Sequence, residues 1–205
     1  MKTIIPAIIL ISLSIILWII FIVYMKSLNK KIIQYFIQLA EKYHLAIDES
    51  NKIGSVIYPV AQGIYKNRKI EIGCNVNNSG AKKSENTYIR VETSNPHKLS
   101  LLLARRTKNS TPMNRGNMVN MMDTEFDEKF IVSSSTPQYL FPVFTFNIKY
   151  SLLQALHLGM KGGLKLENNI LEYSENELMK QEASKTRIEL IIHILCDFAD
   201  ELEKK

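Results

Sequence analysis

Residues Ile4 to Tyr24 form an unbroken apolar run, IIPAIILISLSIILWIIFIVY, that contains no charged side chain. A helix rises about 1.5 Å per residue, so a helix of this length crosses the ~30 Å hydrocarbon layer of a bilayer. The run exceeds the roughly 7 to 15 apolar residues of a cleaved signal peptide, and it continues straight into Met25 and Lys26 without a small-residue cleavage site. The sequence therefore predicts an uncleaved transmembrane anchor over residues 1–25.

The lysines that flank this run indicate its orientation. Lys26, Lys30 and Lys31 follow it within seven residues, whereas only Lys2 and the amino terminus precede it. Because Lys and Arg near a span concentrate on the cytoplasmic side, the bias predicts a single-pass protein with its C-terminal domain in the cytoplasm. The excess is about one charge, so a periplasmic domain is the open alternative.

Residues 26–52 have the pattern of an amphipathic juxtamembrane helix. Apolar residues recur at spacings of three and four, with polar residues between them. No Gly or Pro lies between Tyr24 and His44, so the helix is predicted to continue directly from the anchor. The alternative is an interfacial helix lying on the bilayer, which the three lysines would also suit. The apolar positions are Leu28, Ile32, Phe36, Leu39, Ala40 and Tyr43.

Residues 53–205 combine strand-like and helix-like patterns, which predicts a soluble α+β domain with an antiparallel sheet and helices packed on one side. The polar segment 77–84 is predicted as a loop, and residues 163–174 as a short hairpin at the edge of the sheet. A wide apolar stripe over 177–203 predicts a final helix packed in the core. The other predicted strands cover residues 56–64, 69–76, 88–93 and 99–105.

The net charge of +6 conceals a basic middle of the chain. Residues 66–115 contain eleven Lys or Arg and three acidic residues, whereas residues 116–205 carry an acidic excess. One interpretation is that these charges are solvated and partly neutralise each other across the fold. The other is a basic surface for anionic lipid headgroups or an acidic protein partner, with no nucleic acid expected. Its candidate contacts are Lys26, Lys30, Lys31, Arg105, Arg106 and Lys108.

An acidic and aromatic stretch opens the second half of the chain. Thr124 is predicted to cap a short helix with an acidic first turn, in which Asp127 reaches back toward the cap. Phe126 and Phe130 are one turn apart on one face. Asp123, Phe126, Phe130 and Val132 together have the spacing D-x-x-F-x-x-x-F-x-V.

This spacing, with the preceding segment 62–69 and the following Leu140-Phe141-Pro142, resembles a group of bacterial membrane-anchored proteins of unknown function. The resemblance covers residues 54–174. It implies an architecture in which the acidic and aromatic stretch precedes a proline-broken helix and a terminal hairpin. It also implies a bacterial membrane setting, and it transfers no catalytic residue to this chain.

Two clusters could in principle bind a metal ion. Asp123, Glu125, Asp127 and Glu128 are acidic neighbours, but they lack the glycine and ligand spacing of a calcium loop, and acidic residues favour helix starts for electrostatic reasons alone. His193 and Cys196 supply two ligands where zinc requires three or four. The sequence therefore predicts no metal and no cofactor.

These observations favour a non-catalytic, membrane-anchored binding or assembly protein whose protein partner the sequence does not identify. The alternative is a membrane-tethered, metal-dependent enzyme that uses the acidic cluster near Asp123. Cys74 and Cys196 are too few for a disulfide scaffold and fit a reducing compartment.

Overall fold

A computed structural model describes residues 4–54, 56–79, 82–107 and 117–204. It has the predicted α+β fold. The helices are α1 (Ile4–Tyr43), α2 (Thr124–Lys129), α3 (Phe146–His157) and α4 (Glu182–Glu203), with a 3-10 turn at Pro137–Tyr139. The strands are β1 (Ala46–Asp48), β2 (Lys52–Ile53), β3 (Val56–Ile57), β4 (Val60–Tyr65), β5 (Arg68–Ser79), β6 (Lys82–Glu92), β7 (Leu101–Arg105), β8 (Asn117–Val119), β9 (Phe130–Ser134), β10 (Gly163–Glu167) and β11 (Ile170–Glu175).

Helix α1 joins the apolar run to the folded domain without a break. It is one helix of 40 residues, so the predicted continuation through Tyr24 is confirmed. Trp18 and Val23 in its first half are exposed, whereas Phe36 and Leu39 in its second half are completely buried. Because this second half belongs to the core of the domain, it does not lie free on a bilayer as an interfacial helix would.

Nine strands form one antiparallel sheet in the order β1-β4-β5-β6-β11-β10-β7-β9-β8. Residues that are paired across neighbouring strands lie on the same face of the sheet. One such row runs across the strands from β4 to β9, and all of its residues are buried. α1 contacts β4 on this side of the molecule, α4 contacts β6 and β11, and α3 packs on α4. The row contains Ala61, Ile72, Ile89, Tyr173, Leu164, Leu103 and Val132.

Two local predictions are wrong in position. The β10–β11 hairpin lies in the middle of the sheet, because β11 pairs with β6 and β10 pairs with β7. Of the segment predicted as a loop over 77–84, residues 77–79 extend β5 and residues 82–84 extend β6, with Asn77 opposite Ser84, while residues 80 and 81 lie outside the described residues. The place of the β10–β11 hairpin depends on backbone hydrogen bonds to strands that are distant in the chain. The extension of β5 and β6 depends on backbone hydrogen bonds between polar residues. The pattern of apolar side chains reveals neither.

Candidate membrane-facing surface and the acidic motif

Helix α1 provides the candidate membrane span. Within the part of the chain that the structure describes, it is the one helix long and apolar enough to cross a membrane by length and composition. The most apolar stretch within residues 12–43 is not covered by the rest of the protein. Lys26, Lys30 and Lys31 are exposed just beyond the apolar run. The span and the three lysines therefore lie on one rigid element.

The other predicted basic contacts lie far from these lysines. Arg105 and Arg106 are exposed at the end of β7, five strand steps from the strand that contacts α1. At about 4.8 Å per step this is roughly 24 Å across the sheet, and a twist of about 20° per step turns β7 by roughly 100° relative to β4. The structure does not bring the two groups together, and Lys108 lies outside the described residues.

Arg106 is partly committed to the fold. Its backbone N–H donates to the carbonyl oxygen of Lys129 at 2.7 Å, and its Nε donates to the carbonyl oxygen of Asp127 at 3.0 Å. These bonds tie the end of β7 to α2. The Arg106 side chain is therefore held against α2, but it keeps its charge because a carbonyl oxygen is neutral.

The acidic cluster caps α2. Asp123, and not the predicted Thr124, is the N-cap residue, and its Oδ1 accepts a hydrogen bond from the Phe126 N–H at 3.2 Å. Asp127 reaches back, as predicted, and accepts from the N–H groups of Met121 at 3.0 Å and Asp123 at 3.2 Å. Lys149 pairs with Asp123 at 3.3 Å. Thr124 is already the first residue of the helix, whereas Asp123 before it has the extended backbone of a cap residue and supplies the side-chain acceptor for the free N–H groups.

These bonds engage the two aspartates of the acidic cluster, whereas Glu125 and Glu128 are exposed. Both oxygens of Asp127 accept from backbone N–H groups, and Asp123 accepts from an N–H group and from Lys149. Within residues 4–54, 56–79, 82–107 and 117–204, no group of three or more His, Cys, Asp or Glu is arranged to hold a metal ion. The geometry of the motif is that of a helix start.

The apolar residues of the D-x-x-F-x-x-x-F-x-V motif pack in the core of the domain. Phe126, Phe130 and Val132 are buried. The ring of Phe126 lies 4.9 Å from that of Phe130 and 5.8 Å from that of Phe144, which in turn lies 5.1 Å from Phe198 on α4. A chain of aromatic contacts thus connects α2 to the last helix, and such pairs stabilise beyond the burial of their area alone.

We expect Phe130→Ala to lower the free energy of unfolding by about 3–5 kcal/mol, because it removes a buried aromatic ring and leaves a cavity. The matched control is Glu128→Gln two residues earlier, whose side chain is exposed and which should cost under about 1 kcal/mol. Urea unfolding of the fragment 26–205 measures both. The reverse order would point to an ion held by the carboxylates.

A buried ion pair between Arg187 and Glu175 was not predicted from the sequence. Arg187 on α4 forms a two-pronged pair with Glu175 on β11, through Nη2 at 2.9 Å and Nε at 3.2 Å. The hydroxyl of Tyr173 donates to the same carboxylate at 2.6 Å, and Nη1 of Arg187 donates to the carbonyl oxygen of Leu158 at 3.1 Å. The signal was available, since Arg187 is in helical register with Ile191, Ile194 and Phe198 on the apolar face of α4.

The two cysteines are buried and free. Burial raises the pKa of the Cys74 thiol to about 12 and that of Cys196 to about 11. Because only the thiolate reacts, at pH 8 a pKa near 12 leaves about one Cys74 thiol in ten thousand reactive.

We expect a maleimide to modify neither cysteine in the native protein at pH 8 and both after denaturation, as measured by mass spectrometry. Rapid modification of the native protein would contradict their burial.

An open groove lies at the end of the domain opposite the apolar half of α1. It has a volume of about 1240 Å³ and is open and polar. Arg68 in its wall pairs with Asp200 at 2.7 Å and with Glu203 at 2.5 Å. The charge of Arg68 is thus balanced by two carboxylates within the groove.

The fold resembles that of a solved transport factor. The match is to the crystal structure of the mycobacterial trehalose monomycolate transport factor A, TtfA, with a TM-score of 0.57 and 10% sequence identity. It covers 86% of this chain and 94% of that chain. No family model matches the sequence, and a search of curated proteins finds no match. At this identity the likeness concerns the fold alone.

Proposed function

We propose that this chain is a single-pass protein of a bacterial inner membrane that acts by binding or assembly, without catalysis. The observation that carries the proposal is the continuity of α1, which is exposed and apolar in its first half and part of the domain core in its second. A domain attached in this way has no flexible linker to the membrane. It is therefore held at a fixed height and orientation, as suits a platform for a partner.

The flanking lysines support a cytoplasmic position for the domain. Lys26, Lys30 and Lys31 are exposed on the domain side of the span, where positive charge favours the cytoplasm. The two free and buried thiols are compatible with a reducing compartment. The partner classes proposed are anionic lipid headgroups and a protein of unidentified type.

The similar structure offers one further indication. The mycobacterial protein is named as a transport factor for trehalose monomycolate. A role for the present chain beside a membrane transport or assembly system would be compatible with its anchored, non-catalytic character.

Topology is tested with Lys204→Cys in the full-length chain. Lys204 is exposed at the end of α4, and its ion pair with Glu201 is also exposed, so the substitution leaves the fold intact. We expect an impermeant maleimide to label this cysteine only after spheroplasts are permeabilised, with the buried native cysteines as the internal unlabelled control. Labelling in intact spheroplasts would place the domain outside. Release of the protein by alkaline carbonate would reject the anchor itself.

A further inference from the structure

After α1 the chain folds back along the helix as a two-stranded hairpin. β1 pairs with β4, and β2 pairs with β3 as far as Ile53 opposite Val56. The two ladders are joined, because the N–H of Tyr58 donates to the carbonyl oxygen of Asn51 at 2.8 Å between them. Strands β1 and β2 therefore run together on one side of the hairpin, and β3 and β4 on the other. We call these four strands the return hairpin.

Two contacts show that the return hairpin runs along α1. The N–H of Ile57 donates to Oδ1 of Asn29 at 3.2 Å, and farther along the chain Gly63 packs against Leu45. The sixteen residues from Asn29 to Leu45 rise about 24 Å, and the six from Ile57 to Gly63 span about 20 Å. The agreement means that β4 runs parallel to α1. The turn between β2 and β3, at the opposite end, therefore points toward the apolar half of α1.

The same spacing places Ile53 near the end of the apolar run. Ile53 is paired with Val56, which lies one residue, about 3.3 Å, before Ile57. That distance corresponds to about two residues of helix, so Ile53 is level with Ser27, about 4.5 Å beyond Tyr24. The headgroup layer on each side of the hydrocarbon is about 5–7 Å thick. Ile53 therefore lies at the depth of the headgroups of a bilayer whose hydrocarbon ends near Tyr24.

Two apolar and two basic side chains are exposed at this level. Ile53 is 41% exposed and Met25 is 36% exposed. Lys26 on α1 and Lys52 on β2 are also exposed. Met25 and Lys26 precede Asn29 by four and three residues, so they lie on the face of α1 that the return hairpin contacts. Apolar side chains beside lysines are typical of a surface that lies at the interface of an anionic bilayer.

The acidic residues of the return hairpin lie farther from the span. Asp48 is opposite Val60, which is three residues, about 10 Å, beyond Ile57, and Glu49 follows Asp48. This separation is about one Debye length at 0.1 M ionic strength. The two acids therefore weaken the attraction of Lys52 to an anionic surface only a little.

We propose that Lys52 and Ile53 of the return hairpin form a second membrane contact, in which Ile53 inserts among the headgroups and Lys52 binds anionic headgroups beside Lys26. This proposal rests on the anchoring of α1 and adds a contact made by the folded domain itself. Transmembrane helices are tilted by about 20° on average. A contact on one side of α1 fixes the direction of this tilt and prevents rotation of the domain about α1.

The test uses matched Asn→Cys probes in the full-length protein in phosphatidylcholine vesicles. Asn51→Cys lies beside Lys52 on the return hairpin, and Asn147→Cys lies in the first turn of α3; both positions are exposed. The native cysteines are buried, so a fluorophore labels the engineered ones. Quenching by lipids spin-labelled at the headgroup then reports how close each probe is to the bilayer surface.

Asn147 is a suitable distant probe because it lies at the far end of the domain from the span. Lys185 donates to Gln38 at 3.0 Å and Lys42 pairs with Glu189 at 2.7 Å, so α4 runs parallel to α1. Asn147 lies beside the end of α4. This end is about 18 Å farther from the span than Glu189 is.

We expect the Asn51 probe to be quenched strongly once phosphatidylglycerol is included, and the Asn147 probe to be quenched little. Lys52→Gln should lower the ratio of docked to undocked protein roughly fivefold, because each lysine near an anionic surface contributes about this much. Adding Ile53→Asn should lower the ratio by roughly another three- to eightfold, because the exposed part of the Ile53 side chain no longer gains from insertion.

The matched control is Lys69→Gln with Ile64→Asn. These two residues are also exposed and lie opposite each other in the pairing of β4 with β5, at the end of β4 that is far from the span. The control makes the same chemical changes and should leave quenching of the Asn51 probe unchanged. Lys52→Gln alone changes only an exposed side chain, so its effect does not depend on any loss of packing at Ile53.

Three results would overturn the proposal: equal quenching of the two probes, quenching of the Asn51 probe that does not depend on phosphatidylglycerol, or quenching that the Lys52 and Ile53 changes leave intact. Carbonate extraction of the same vesicles separates this failure from failure of the anchor. Protein that resists extraction but shows no quenching at Asn51 rejects the hairpin contact alone. Extractable protein rejects the membrane function as a whole.

Discussion

A fragment that begins at residue 53 should fail to fold, whereas a fragment that begins at Lys26 should unfold cooperatively. The second half of α1 contributes four large side chains to the domain core, Ile32, Phe36, Leu39 and Tyr43. Burying each contributes about 1.5–3 kcal/mol, or roughly 6–12 kcal/mol together. This is comparable to the whole net stability of a domain, about 5–15 kcal/mol.

Circular dichroism and urea unfolding of fragments 26–205 and 53–205 test this expectation. A control substitution in the longer fragment, Gln34→Ala, changes an exposed position on the opposite side of α1 and should leave stability nearly unchanged. If residues 53–205 alone melt cooperatively within a few degrees of the longer fragment, the packing of α1 against β4 is not needed for folding. The boundary near residue 52 would then mark an autonomous domain.

Arg187→Met should lower the free energy of unfolding by about 3–5 kcal/mol, because it leaves the buried carboxylate of Glu175 without its cation. The guanidinium is 5% exposed and Glu175 is 1% exposed, so water cannot replace the lost partner. The hydroxyl of Tyr173 would remain as the main donor to this carboxylate.

The chain contains a matched control for this substitution. Arg90 on the open face of the sheet also contacts two carboxylates, Glu172 at 2.7 Å and Glu71 at 3.3 Å, but its side chain is 43% exposed. Arg90→Met should cost under about 1 kcal/mol, since an exposed pair is worth little. Adding Glu175→Leu to Arg187→Met should recover part of the loss, because the unpaired charge is removed. Equal effects of Arg187→Met and Arg90→Met would show that burial does not strengthen the Arg187 pair.

Local sequence patterns predicted which segments form helices and strands better than they predicted which strands lie next to each other in the sheet. The hairpin of β10 and β11 was predicted within a residue at its C-terminal end, yet it was placed at the edge of the sheet and lies at its centre. Alternation of apolar residues specifies a strand and its buried face, but the partner of each strand depends on residues far away in the chain. β6 and β11, for example, are paired across more than seventy residues of sequence.

In the candidate site, too, some features follow from local sequence and others depend on the tertiary structure. The exposed position of Lys26, Lys30 and Lys31 follows from their place beside an apolar run, whereas the separation of Arg105 from them depends on five strand steps that no local pattern encodes. The capping role of Asp127 was predictable from its distance to the helix start. The choice of Asp123 over Thr124 as cap depended on where the backbone changes from the extended conformation, at Asp123, to the helix that begins at Thr124.

The sequence by itself determined the apolar run of α1, its continuation as an amphipathic helix and the α+β class, because each follows from the length or the periodicity of apolar residues within individual segments. Only the tertiary structure decided that the second half of α1 belongs to the domain core and that Arg187 and Glu175 form a buried pair. These depend on contacts between segments distant in the chain. Their free energy comes from surfaces that meet only when the sheet and helices have assembled.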